Sequence, residues 1–284
     1  MFIRNLMKKR FKESLIKIPC LMTVITFARK TFYPQRRIPF PGRNELLRRL
    51  GVMTPETILK VLDVLGKAHP SPSFVKIGAN DGLTGDPCGD MFLRDIRWRG
   101  LLVEPVDYCV EKLKNTYCDQ SRFTIVQAAI GHKNERRKFY FLAKEAKYSI
   151  PDVPEWYDQI GSFDREHIVK HLPIEANKFI IERDIDVFSL SSVLMQAGYV
   201  APLFLHIDVE GFDYEVLKSL NFRQSRPSVI MVEHKHLSAS DLYSMIELLE
   251  GNGYLSLDAG EDLVALTKTV AKTLNVIELI SSSD

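Results

Sequence analysis

Apolar and polar positions follow two rhythms along the middle of this chain. Residues 74–77, 100–103, 123–128, 203–209 and 229–233 are short apolar runs bounded by turn-forming residues, the pattern of strands buried on both faces. Between them, residues 91–96, 108–117, 189–198, 214–220 and 242–249 carry apolar side chains three or four positions apart, the spacing of helices with one buried face. Residues 254–257 and 263–267 are two further runs that can pair as a terminal hairpin. The alternation predicts an α/β fold, a mostly parallel seven-stranded sheet with helices on both faces.

Upstream, Thr54-Pro55-Glu56 opens a helix whose apolar face is Ile58, Val61, Leu62 and Leu65. Farther back, Ile3, Met7, Phe11, Leu15 and Ile18 share a helical face amid Arg4, Lys8, Lys9, Lys12 and Lys17. That basic amphipathic helix is of a kind that lies on an anionic membrane or packs on a neighbouring domain. Its apolar continuation, 18–28, contains Pro19 and falls short of the roughly 20 residues that cross a bilayer. Residues 33–42 are Pro-rich and read as an extended linker. The strand–helix rhythm breaks between 131 and 188, where a β-like run at 138–142 leads to Trp156, Tyr157 and Phe163 and a helix-like 165–171. An insertion of this kind is expected to form a lid or substrate cap. The organisation is then an arm and linker (1–42), N-terminal helices (43–72), the main domain (73–268) and a tail (269–284).

Composition changes this picture in two ways. With 284 residues, 45% of them hydrophobic, the chain can bury a full core. The net charge of +2 hides an asymmetry: residues 1–50 hold thirteen Lys and Arg against Glu13 and Glu45, 13 − 2 = +11, which leaves 25 − 34 = −9 for the remainder. A mildly acidic body excludes an extended nucleic-acid-binding face, and the basic character belongs to the arm. Cys20, Cys88, Cys109 and Cys118 show no metal-like spacing and read as reduced thiols of a cytoplasmic protein, with residues 1–28 open to peripheral membrane contact. Nothing in the pattern specifies an oligomeric state.

Candidate chemistry gathers at two turns. In the first, Gly78, Ala79, Asn80, Asp81 and Gly82 follow the first strand, and Glu104-Pro105 closes the second. Glycines let a backbone approach a ligand, and an acid ending the next strand can accept both hydroxyl protons of a ribose. The tight G-x-G-x-x-G of a pyrophosphate site is missing, so a nucleoside without phosphates fits better than a dinucleotide. In the second turn, His206, Asp208 and Glu210 alternate along one strand exit, and Glu233, His234 and His236 leave its neighbour. Carboxylates and imidazoles at one sheet rim suit a general base or a divalent metal.

Val75-Lys-Ile-Gly-Ala-Asn-Asp-Gly82, Val103-Glu-Pro105, Ala129-Ile-Gly131, Ile207-Asp-Val-Glu-Gly211 and Arg226-Pro-Ser-Val-Ile-Met-Val-Glu233 together resemble the FkbM family of S-adenosylmethionine-dependent methyltransferases. The resemblance spans about residues 73–267 and leaves the basic arm outside. It implies a Rossmann-like class I methyltransferase fold with a reversed C-terminal hairpin. It also implies that Gly78 to Gly82 cradle the methionine part of S-adenosylmethionine, that Glu104 and Pro105 hold the ribose, and that Gln127 and Ala128 lie beside the adenine. Two positions depart from the family pattern: Lys76 stands where an acid is common, and His206 where lysine is usual.

The expected reaction is O-methylation of a hydroxyl on a sugar, glycan, glycolipid or secondary metabolite. Asp208 is expected near the transferring methyl, His234 or His206 as base, and Glu233 orienting it; Trp156, Tyr157 and Phe163 are candidates to stack on a sugar ring. A divalent metal on Asp208 and Glu233 is the less favoured route. A binding module of the same fold without catalysis and a nicotinamide-dependent oxidoreductase are the competing classes.

Overall fold

The computed structural model describes residues 41–275 except residue 152. The amphipathic arm, the linker up to residue 40 and residues 276–284 lie outside this range. Among the described residues no helix is long and apolar enough to cross a membrane.

Eleven strands form two sheets: β1 (Gly51–Val52), β2 (Ser73–Ile77), β3 (Arg99–Val103), β4 (Phe123–Val126), β5 (Ala129–Gly131), β6 (Glu135–Leu142), β7 (Ile180–Ser189), β8 (Phe204–Ile207), β9 (Val229–Glu233), β10 (Tyr254–Ala259) and β11 (Asp262–Thr267). The larger sheet has the order β1-β10-β11-β9-β8-β2-β3-β4. β11 runs antiparallel to both β10 and β9, and every other pair is parallel. The expected sheet with its reversed hairpin is therefore present, and the short β1 adds an eighth strand at the β10 edge. Two residues carry no readable period, and β1 exists because β10 offers it a free edge.

The sheet is two-sided, as its apolar strands require. Val75, Ile77, Leu205, Ile207, Ile230 and Val232 face a core shared with the helices Leu190–Gln196, Asp213–Lys218 and Ala239–Gly251. Phe74, Leu102, Phe204 and Met231 face the opposite core, closed by Pro55–Ala68 and by Phe92 and Trp98. Phe74 and Phe92 stack with ring centroids 4.0 Å apart. Pro55–Ala68 starts as the sequence predicts, with Pro in its first turn and the Thr54 hydroxyl accepting from Thr57 N–H.

The insertion departs from the expected pattern. The run expected to continue to residue 128 ends at Val126, and Ala129–Gly131 joins a second sheet of order β5-β7-β6. β7, ten residues long, was not legible from apolar spacing, because its sequence alternates charge with aliphatics. Its register with β6 sets Lys138 opposite Asp184 and Arg136 opposite Asp186, and Lys138 also pairs with Glu182. Cross-strand opposite charges thus support a solvated hairpin. The insertion has its own core, which includes Leu142, Ile150, Tyr157, Ile160 and Ile168. Tyr157 is consumed by that core and Trp156 is exposed, so of the expected aromatic trio only Phe163 reaches the cleft described next.

Candidate active site

β2 and β8 lie side by side at the point where the connections diverge to opposite sides of the sheet, the place where open α/β sheets bind ligands. A cleft of about 870 Å³, open solvent included, occupies it, within the roughly 300–1,000 Å³ common for small-molecule sites. Gly78, Asn80, Glu104, Pro105 and Ala128 line one part; Asp208, Glu210 and Phe212 line another; Phe139, Asp158, Gln159, Gly161, Ser162 and Phe163 come from the insertion.

Each residue of the first turn has a distinct task. Gly78 takes φ +77°, and a Cβ there would lie 1.7 Å from the Asp208 carbonyl oxygen. Only glycine lets the two strand exits close on each other at this point. Asn80 also sits in the left-handed region, at φ +44°. Its N–H donates to Glu104 Oε2 at 2.9 Å, while Val106 N–H donates to Oε1 at 2.9 Å. Burial pushes the Glu104 carboxyl up to about 7, against the pull of those two N–H donors. Asn80 Oδ1 is buried in the cleft wall with no hydrogen-bond partner, a polar atom placed for a ligand's donor.

Other members of the expected cofactor set serve the scaffold. Asp81 accepts from Leu83 N–H, Thr84 N–H and the Thr84 hydroxyl, which folds the loop instead of facing the cleft. Ala79 is fully buried. Gly82, at φ +82°, makes room for Tyr117, whose ring would lie 2.3 Å from an added Cβ and whose hydroxyl donates to Gly82 O. Gln127 is exposed and outside the cleft, because the chain leaves the main sheet after Val126 and only Ala128 turns inward.

The second turn is held by a residue the sequence reading missed. Asp213, 1% exposed, accepts from Val209 N–H and Gly211 N–H, both at 2.9 Å. This clamp fixes Glu210 at φ +54° and Gly211 at φ +92°, and it carries Asp208 and Glu210 into the cleft. An acid at the first position of a helix, two residues beyond a glycine turn, was the available signal. Glu210 Oε2 lies 3.3 Å from His236 Nε2 and 3.8 Å from His167 Nε2. His167 comes from the insertion helix Arg165–His171 and was likewise unforeseen. Burial and the nearby Asp208 raise Glu210 to about 7; burial, Asp208 and Glu210 raise Glu233 to about 9. Burial and the neighbouring His171 lower His167 to about 4.

Two expected bases are displaced by the geometry. β8 ends at Ile207, and His206 inside it stays buried among core side chains and does not join Asp208 in lining the cleft. It is 3% exposed, beside Phe204 at 6.1 Å and opposite Lys76 across the strands. Burial and the Lys76 charge lower its pKa. His234 faces away from Glu233, since successive residues leaving an extended strand point to opposite sides. Its Nδ1 is 2.5 Å from the Arg43 guanidinium and its Nε2 is 3.7 Å from Asp258; it is 1% exposed and does not line the cleft. Neither imidazole reaches a substrate there. Lys76 is paired as well, 2.8 Å from Asp86, with both side chains buried. Burial opposes ionisation of Asp86, but Lys76 and His206 outweigh it and hold that carboxyl below its usual range.

A sequence model described as the methyltransferase FkbM domain matches residues 76–256. No curated protein matches the chain. Among solved structures, the O-methyltransferase from Bacillus cereus in complex with SAH is 10% identical, with 86% of this chain and 97% of that one covered at a TM-score of 0.39. Precorrin-6y C5,15-methyltransferase from Geobacter metallireducens GS-15 is 12% identical, with coverages of 75% and 88% and a TM-score of 0.36. Likenesses this distant carry no weight beside the topology and the family match. That match covers well over half of the sequence and runs from inside β2 into β10, so this chain belongs to the FkbM family of methyltransferases.

Proposed function

We propose that the protein is an S-adenosylmethionine-dependent O-methyltransferase acting on a hydroxyl of a sugar, glycan, glycolipid or secondary metabolite. The observation that carries this reading is a single cleft whose walls are the Gly78–Glu104 turn on one side and the Asp208–Glu210 turn on the other. A donor and an acceptor bound to those walls would meet between them.

The residues present fit the cofactor. Asn80 Oδ1 is a buried acceptor without a protein partner, suited to an ammonium or amide donor. Glu104 is oriented by two backbone N–H groups and retains lone pairs for ribose hydroxyls. Pro105, Ala128 and Ile130 offer apolar wall for a base. When bound, the cofactor supplies an activated methyl on a sulfonium. The protein then has to align the acceptor oxygen and take its proton.

We assign the proton to an Asp208 carboxylate oxygen. With the cofactor held by Asn80 and Glu104, its methyl would pass to the acceptor oxygen and leave a neutral thioether, while Asp208 would hold the released hydroxyl proton. Phe163 and Phe212, ring centroids 5.2 Å apart, give the acceptor side an aromatic wall suited to a sugar.

The test pairs calorimetry with S-adenosylmethionine and mass spectrometry of glycan and lipid extracts incubated with the protein and labelled cofactor. Saturable binding and a methyl-sized mass gain on an oxygen are expected. Asp208→Asn should keep cofactor affinity and lower kcat by about 100-fold or more. Binding without any transfer would favour the non-catalytic module instead.

A further inference from the structure

The acid and imidazole groups at the β8 and β9 exits make a constellation that proton transfer alone does not use. Glu210, Glu233 and His236 each direct one ligand-type atom to a common point, and these atoms all lie within 4.8 Å of one another. Their positions are built in. Asp213 clamps the backbone that carries Glu210, and Gly211 leaves the space into which His236 packs, its Cβ only 3.2 Å from where a side chain would begin.

Two polar atoms of the cluster find no hydrogen-bond partner in the protein. Glu233 Oε2 is buried and has no hydrogen-bond partner, and neither has His167 Nε2, which lies 3.8 Å from Glu210 Oε2. The His167 and His171 rings are 4.5 Å apart and each is 5.7 Å from the His236 ring. Lys235, the basic side chain between Glu233 and His236, is engaged by Glu261 at 3.0 Å. Half-buried carboxylates facing one another without a cation are costly, and burial with repulsion from neighbouring carboxylates already pushes Glu210 and Glu233 upward.

We propose that Glu210, Glu233 and His236 bind a divalent first-row transition-metal ion beside the acceptor end of the cleft, which Glu210 lines, with His167 next to Glu210 supplying a fourth ligand. Two carboxylate oxygens with one or two imidazole nitrogens suit zinc, manganese, cobalt or iron(II), whereas magnesium keeps to oxygen ligands and water. Three ligands come from the sheet rim and the fourth from the insertion, so the ion would tie that element to the rim. Its chemical role rests on the methyltransferase reading: an acceptor hydroxyl brought against the ion would lose its proton to Asp208 at lower pH.

The experiment uses the full-length, tag-free protein, stripped with a chelator and titrated with ZnCl₂ by calorimetry and with CoCl₂ by visible absorption. One equivalent of ion per chain is expected, with d–d bands of a nitrogen- and oxygen-ligated cobalt. Glu233→Gln and His236→Ala should each weaken binding at least about tenfold. His69→Ala, an exposed histidine outside the cluster, should bind as wild type. Circular dichroism of each variant checks that it is folded. No saturable binding of either ion by the wild type, or binding retained in both cluster variants, overturns the proposal. S-adenosylmethionine titrated in parallel keeps the two readings apart, because its failure to bind would sink the methyltransferase proposal and leave the metal result standing.

Discussion

Glu104 shows how one residue can be legible in type yet misjudged in state. Its place at the end of the second strand suits a ribose acceptor, but burial, at 6% exposure, pushes its carboxyl from 4.5 in the unfolded chain up to about 7 despite two N–H donors. The folded chain therefore keeps a proton that the unfolded chain releases between those two values. Stability from this group is fully present below about pH 4.5, falls as pH rises toward about 7 and is flat above, a loss on the order of 3 kcal/mol as an upper bound. Glu104→Gln imitates the protonated form, so melting temperature against pH should drop less steeply between pH 5 and 7 in the variant than in the wild type. Parallel curves would remove Glu104 as the cause. The two departures from the family pattern also become one. Lys76 and His206 are cross-strand partners in β2 and β8, and Asp86 supplies the acid beside them. Lys76 pairs in the core with the loop residue Asp86, and His206 faces them from 130 positions along the chain, a juxtaposition that the sequence does not reveal.

At the scale of elements, strands buried on both faces were readable because each is a continuous apolar run, and β9 was found at its observed bounds. β7 was not readable, because its stability comes from pairing with β6 and not from its own apolar period. The turn after β8 lies between these cases. Its Asp-Val-Glu-Gly sequence announced a turn, while the Asp213 clamp that shapes it depends on a helix packing beneath it. Asp213→Ala removes both acceptors and leaves two N–H groups to find others, which should cost about 2–4 kcal/mol in urea unfolding. Asp213→Asn keeps one acceptor oxygen and should lose about half as much. Equal losses in the two variants would mean that burial of the side chain matters and the clamp does not.

At the scale of the molecule, the insertion decides what the cleft can admit. Its core is its own, built on Leu142, Ile160 and Ile168, and it delivers Phe163 to the cleft and His167 to the histidine cluster. Phe163 packs on Phe212 beside the Asp208–Glu210 turn, so Phe163→Ala should raise the acceptor KM by about three- to tenfold, the value of one aromatic contact. Affinity for S-adenosylmethionine should stay within about twofold. A matching loss of cofactor affinity would show instead that the insertion orders the whole cleft.

The sequence by itself determined the sheet, its reversed hairpin and the two turns that meet at the cleft. These depend on apolar runs, glycine positions and short-range order, which are properties of neighbouring residues. Only the tertiary structure decided which polar groups face the ligand. Asp208 enters just beyond the end of β8, and Glu210 enters on the left-handed turn that follows. His206 stays inside its strand and His234 turns to Arg43. Glu233 and His236 gather beside Glu210 at the strand exits, and His167 reaches them from the insertion helix. Side-chain direction at a strand exit is set by the backbone dihedrals of one or two residues and by what packs against them, and spacing along the chain does not encode either.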